Sequence, residues 1–230
     1  MTYKEELINS IEADFVFSKK PINRFKISNE DINKKNLGKK EQLNQLKKLI
    51  YSIQNCNLKN NSASLILGEG NIESSMMIIG EAPGLEEEKA NKTFQGESGL
   101  LLKKMLSAIK IKKENIYSTY AINFRPPEDR KPTSQEIKRY SVFLKEHISI
   151  IDPKIVILFG STAMESIISS NERISNERGK WKEIILKNKT YKLMITFNPS
   201  YLIRFPENKK FSWEDLKKIK KKIQDLKIKI

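Results

Sequence analysis

Four short segments hold most of the residue types that could do chemistry. The first is Gly80-Glu81-Ala82-Pro83-Gly84, followed by Glu86, Glu87 and Glu88 and then by Thr93-Phe94-Gln95-Gly96-Glu97-Ser98-Gly99. Small residues let backbone amides approach a planar ligand closely. A carboxylate and an aromatic ring beside such a cradle suit a flat heterocycle, with Phe94 stacking on it. Spacing alone equally allows a solvated acidic turn and a core Phe94. The second segment runs from Arg125 through Pro126, Pro127, Glu128, Asp129, Arg130, Lys131 and Pro132 to Thr133. Proline stiffens it, and Arg125, Arg130 and Lys131 are candidate phosphate contacts; a charged surface loop without a partner fits the same residues. The third is Gly160-Ser161-Thr162-Ala163. The fourth, Asn198-Pro199-Ser200-Tyr201-Leu202-Ile203-Arg204, carries a Leu-Ile pair. Such a pair at a loop tip can wedge into a base stack while Ser200 and Arg204 hold the backbone; in the alternative, both are core.

Each segment follows a short apolar run that reads as a buried strand: Met76–Ile79, Ile116–Ile122, Ile155–Phe159 and Leu193–Phe197. Helical spacing lies between them. Leu101, Leu102, Met105, Leu106 and Ile109 form one apolar face, and Ile137, Tyr140, Phe143, Leu144, Ile148 and Ile151 another, with Thr133 as N-cap. A third helix covers Ser161 to Ser169, and a last one buries Leu216, Ile219, Ile223, Leu226 and Ile230. Alternating strands and helices predict an α/β fold: a three-layer α/β/α sandwich on a mainly parallel, four-stranded sheet. Ligands of such sheets bind beyond the carboxyl ends of the strands, where the four segments lie. Residues 1–53 read as an N-terminal helical extension and linker, and 54–230 as the α/β domain. In the extension, Leu7, Ile8, Ile11 and Phe15 suggest a short helix before a polar stretch from Ser18 to Lys40. Leu43, Leu46, Leu49, Ile50 and Ile53 suggest a second helix packed on the main domain.

Composition narrows the chemistry. The chain has 230 residues, 43 Lys plus Arg against 28 Asp plus Glu, and a formal net charge of +15. That balance points to a polyanion partner, although a biased genome would also scatter Lys over solvated faces. His147 and Cys56 are the one His and the one Cys. They cannot make a multi-His or multi-Cys zinc site, and one Cys allows no intramolecular disulfide, so a reducing cytoplasm is expected. His147 falls mid-helix, away from the four segments, and reads as structural. No apolar run approaches the roughly 18 residues of a spanning helix, so no membrane partner is expected.

GEAPGLEEE with TFQGESG, then FRPPEDRKPT, then NPSYLIR, in that order, resembles the family 4 uracil-DNA glycosylases. The resemblance runs from about Gln54 to Leu216 and includes Trp213-Glu214-Asp215-Leu216. It implies an α/β/α sandwich that flips uracil out of DNA and hydrolyses its N-glycosidic bond. The partner implied is uracil-containing DNA, single- or double-stranded, and a monomer is expected. Glu87 matches the family's catalytic acidic position and Phe94 its stacking aromatic. Gly80, Glu81 and Ala82 match the substrate-binding loop, and Leu202 or Ile203 would fill the vacated stack.

The departures are specific. The family holds an iron–sulfur cluster on four cysteines; here Cys56 stands at the first position, with Lys59, Phe124 and Tyr140 at the others. One thiolate cannot hold a four-iron cluster, so no cofactor is expected and Phe124 and Tyr140 are expected to pack in its place. Asn198 stands where the family has the His that donates to the leaving base. Tyr120 aligns with the Asn that reads uracil, and a phenol lacks an amide's paired donor and acceptor. The expected function is a base-excision DNA glycosylase for uracil, with Glu87 and Asn198 catalytic. The alternative is a relative that is impaired or changed in base choice and binds DNA without excising uracil. A protein-interaction module, resting on the N-terminal segment and the Lys-faced last helix, is a third reading.

Overall fold

The computed structural model describes residues 37–168, 172–228 and 230. The expected helix over Leu7, Ile8, Ile11 and Phe15, and most of the polar stretch after it, lie outside these. Gly38–Ile230 forms one compact unit. It begins with α1 (Lys39–Tyr51) and α2 (Asn57–Asn61), then β1 (Glu69–Gly70), β2 (Met76–Gly80), α3 (Leu85–Ala90) and α4 (Gly96–Ala108). Next come β3 (Tyr117–Tyr120), α5 (Ser134–Ile151), β4 (Ile155–Phe159), α6 (Ser161–Ile168) and α7 (Ile174–Glu177). A hairpin of β5 (Trp181–Leu186) and β6 (Lys189–Thr196), then α8 (Pro199–Arg204) and α9 (Lys209–Asp225), complete it.

The strands form one sheet in the order β1-β3-β2-β4-β6-β5. The inner four strands are parallel to one another, and β1 and β5 pair antiparallel at the two edges. The sheet is therefore six-stranded rather than four-stranded. The two additional strands are edges, where one-sided burial leaves little apolar signal. β1 has only two residues, and β5 alternates, with Ile185 74% exposed. The hairpin turn at Lys187 and Asn188 has positive φ at both residues, the geometry that matches strand twist.

Side chains alternate across each inner strand and build two cores. Met77, Ile79, Val156, Leu158, Leu193 and Ile195 face α1, α5 and α6. Met76, Ile78, Ile155, Ile157, Phe159 and Met194 face α4 and α9. Strands buried on both faces give the continuous apolar runs seen in the sequence. Leu43, Leu46 and Ile50 of α1 are buried in the first core, so the helix expected over Leu43–Ile53 packs on the domain. Thr133 caps α5 through a reciprocal box: its hydroxyl accepts from Glu136 N–H at 3.3 Å, while Glu136 accepts from Thr133 N–H at 2.8 Å.

His147 is 2% exposed, with Nε2 2.9 Å from the Tyr117 hydroxyl. Burial pushes its pKa down to about 3, so the folded chain keeps it neutral while the unfolded chain protonates it below about 6.5. Stability must then fall as pH drops below that value, because the unfolded state binds the extra proton. Between pH 6 and 5 the wild type should lose up to about 1.4 kcal/mol more than His147→Gln. Urea denaturation across that range checks it, and parallel curves would refute it.

Candidate active site

The parallel register sets the carboxyl ends of the inner strands side by side: Gly80 pairs with Tyr120, Ile79 with Leu158, and Phe159 with Thr196. The loops leaving these ends enclose an open cleft of about 1450 Å³ lined by Glu81, Glu87, Phe94, Tyr120 and Asn198, among others.

Glu87 sits in the first turn of α3 and is 7% exposed. One carboxylate oxygen accepts from Gly84 N–H and the other from Gln95 N–H, both at 3.0 Å. The carboxylate thus ties the GEAPG loop to the turn that carries Phe94. That turn is strained: Phe94 has φ 50°, a left-handed conformation unusual for an aromatic residue. Lys113 Nζ holds it by donating to Thr93 O at 2.6 Å, and Gln95 Nε2 donates to the same oxygen at 2.8 Å. Gly99 makes room for it, since a Cβ there would lie 1.9 Å from Phe94 O.

Tyr120 ends β3 and is 3% exposed. Its ring lies against Phe94, with centroids 5.0 Å apart and planes at 35°. Phe94 N–H donates to its hydroxyl at 2.7 Å. Burial, and then the charge of Glu87, hold that hydroxyl well above its usual pKa, so it stays a neutral donor. Gly80 has no room for a side chain, because Tyr120 and Phe94 crowd its Cα. Asn123 is 4% exposed, and its amide donates to Ile66 O at 3.0 Å. It does not reach the place that Tyr120 takes.

Opposite, Asn198 precedes α8 and caps it, its Oδ1 accepting from Ser200 N–H at 3.1 Å ahead of Pro199 at the first helical position. Its Nδ2 donates to Glu81 at 2.8 Å. Glu81 also accepts from Thr162 N–H at 2.9 Å and Ser161 Oγ at 3.3 Å, at the positive end of α6. Gly160, with φ 97°, leaves space for the Glu81 side chain. The two bonds orient the Asn198 amide and leave one N–H without a partner among the described residues. Ala82 and Ser200 line the same cleft.

The expected DNA contacts divide in two. Arg125 is spent on Asp129 at 2.7 Å and Glu88 at 3.3 Å, and does not line the cleft. Arg130 forms a fork with Glu136 at 2.7 and 2.9 Å. Lys131 and Arg204 are exposed at the cleft. Leu202 is 1% exposed and belongs to the core under α8, so of the expected pair only Ile203 borders the cleft. The helical phase of α8 turns the two neighbours in different directions. Arg173 and Arg178 are cleft residues that no sequence motif marks. Arg178 binds the fully buried Asp215, which also accepts from Thr196 Oγ1 at 2.8 Å.

Of the positions aligned with the family's four cysteines, Cys56, Phe124 and Tyr140 pack together in the first core. Cys56 Sγ lies 3.3 Å from the Tyr140 hydroxyl, Phe124 packs edge-on to Tyr140 at 6.4 Å, and all three are buried. Lys59 turns outward, donating to Tyr51 O at 2.5 Å. One thiol among aromatic rings and an ammonium group is not a donor set for an iron–sulfur cluster. Among the described residues no group of three or more His, Cys, Asp or Glu could hold a metal ion.

Comparison with known proteins matches residues 67–220 to the Uracil DNA glycosylase superfamily. The Type-4 uracil-DNA glycosylase of Thermotoga maritima is 34% identical over 171 residues, 72% of this chain and 86% of that one. That of Sulfurisphaera tokodaii is 31% identical over 188 residues, 78% of this chain and 84% of that one. That of Archaeoglobus fulgidus is 28% identical over 183 residues, 78% and 92% of the two chains.

Gly99→Ala tests the Phe94 turn. The added methyl must displace a backbone carbonyl, and the expected cost is about 1–3 kcal/mol of stability by urea denaturation. An unchanged midpoint would show that the turn yields freely.

Proposed function

Because the chain belongs to the uracil DNA glycosylase superfamily, we propose that its cleft takes a base flipped out of DNA, uracil first, and hydrolyses the N-glycosidic bond. The observation that carries this reading is Glu87: a buried carboxylate aimed by two backbone N–H groups, beside Phe94 at the cleft. As the bond from the sugar to the base breaks, the electron pair leaves with the base and positive charge gathers on the sugar. Glu87 orients the attacking water, takes its proton and stabilises that cation. The uncommitted N–H of Asn198 and the amides after Gly80 donate to the departing base. An amide is a weaker device here than an imidazolium, being neutral and short. Lys131, Arg173 and Arg204 meet the phosphates. No step passes through a metal or cluster.

Tyr120 favours a second reading, in which base choice has changed or excision is lost while binding remains. Its ring already lies on Phe94, and its hydroxyl cannot both accept and donate along uracil's edge as an amide does.

Incubating the protein with single- and double-stranded uracil-containing oligonucleotides, and scoring abasic sites, separates the readings. Uracil release that falls about 100-fold or more in Glu87→Ala is expected; no release, or release unaffected by that change, would sink the catalytic assignment. Tyr120→Asn restores one amide hydrogen bond and should raise uracil release about ten-fold. Release from hypoxanthine or xanthine substrates in place of uracil would instead establish changed base choice.

A further inference from the structure

Flat groups that the catalytic reading does not use run along the cleft at Phe197, Tyr201, Arg178 and Phe211 and continue beyond it to Phe205. Phe205 and Tyr201 lie 4.8 Å apart at 36°, and Tyr201 and Phe197 5.1 Å apart at 34°. The Arg178 guanidinium continues the series, 5.6 Å from the Phe197 centroid and 5.2 Å from that of Phe211. The result is one unbroken stack, Phe205–Tyr201–Phe197–Arg178–Phe211. Its inner members are buried or half-buried, but Phe205 and Phe211 at its ends are 45% and 40% exposed.

The backing of this stack is stiff. Asp215 pins Arg178, Thr196 pins Asp215, and Asn208 Nδ2 donates to the Tyr201 hydroxyl at 3.2 Å. Rings at the ends are therefore presented to solvent on a prearranged support, which lowers the entropy lost when another flat group is added. The charge around them is positive. Arg204, Lys209 and Lys210 are exposed beside the end rings, with Lys210 Nζ 5.1 Å from the Phe211 centroid, and Glu207 is the acidic residue among them.

We propose that this stack is a platform for unpaired bases of a DNA strand, which extend it at Phe205 and Phe211 while Arg204, Lys209 and Lys210 meet the phosphates. The inference rests on the reading that the cleft acts on DNA, and it adds a preference for single strands. A base in a duplex has both faces covered by its neighbours, whereas an unpaired base has a face to give. Stacking on a protein ring is tolerant of sequence and strong enough to matter at each base.

Fluorescence anisotropy with a labelled, uracil-free single strand and the matching duplex tests it without any excision. The single strand should bind more tightly. Combining Phe205→Ala with Phe211→Ala should weaken single-strand binding about ten-fold or more and leave duplex binding as it was. Phe205→Tyr, which keeps a ring, should retain wild-type binding. An equal loss on both forms of DNA, or no loss on the single strand, overturns the proposal. A wild type that releases no uracil yet shows the ring-dependent preference would remove the excision reading and leave the platform standing. Uracil release without that preference would do the reverse.

Discussion

Parallel strands cannot be joined by tight turns, so every connection must cross back over the sheet before the next strand begins. In this chain that constraint governs the rest. Because β2, β3, β4 and β6 run the same way, their carboxyl ends meet at one edge. The loops following them come together although they lie more than a hundred residues apart in sequence. The crossover helices cover both sheet faces, which buries β2, β3, β4 and the carboxyl half of β6 and gives the edge a rigid base. Precision at the cleft is inherited from the two cores.

On that base the polar groups of the site are held by one another. Glu87 closes one loop onto the Phe94 turn, and Glu81 closes another onto α6 and Asn198. Neither carboxylate floats. The same logic gives Asn198 a local reason: asparagine caps a helix well, and here its Oδ1 caps α8. Tyr120 likewise fits its surroundings, filling the space over Gly80 and tying its hydroxyl to the backbone of Phe94. Residues that depart from the family at the site are thus structurally consistent ones. What they change is the set of hydrogen-bonding groups at the cleft: a phenol at position 120 and an amide at position 198.

The net charge of +15 says less about DNA than its size suggests. Arg125, Arg130 and Arg178 are all engaged by carboxylates, and each serves to hold a loop. Lys131, Arg173 and Arg204 remain exposed along the cleft. These cations stand on a rigid edge, whereas lysines scattered over solvated faces have no fixed geometry toward the cleft.

Much of the fold was legible because the inner strands are apolar on both faces and the helices keep a regular period, signals that are local in sequence. The edge strands β1 and β5 were not legible, since an edge needs no such pattern. The place of Glu87 and Phe94 at the cleft could be read from their motif, and the packing of Phe124 and Tyr140 beside Cys56 from their alignment with the family's cysteine positions. The sequence by itself determined which groups the chain possesses, their order, and which loops follow strands. Only the tertiary structure decided that Leu202 is core while Ile203 borders the cleft, that Arg125 and Arg130 are paired, that Tyr120 lies on Phe94, and that Arg178 joins a stack through Asp215. The reason is that burial and pairing are relations between residues far apart in the chain, and no local pattern encodes which distant partner will be brought within a hydrogen bond's reach.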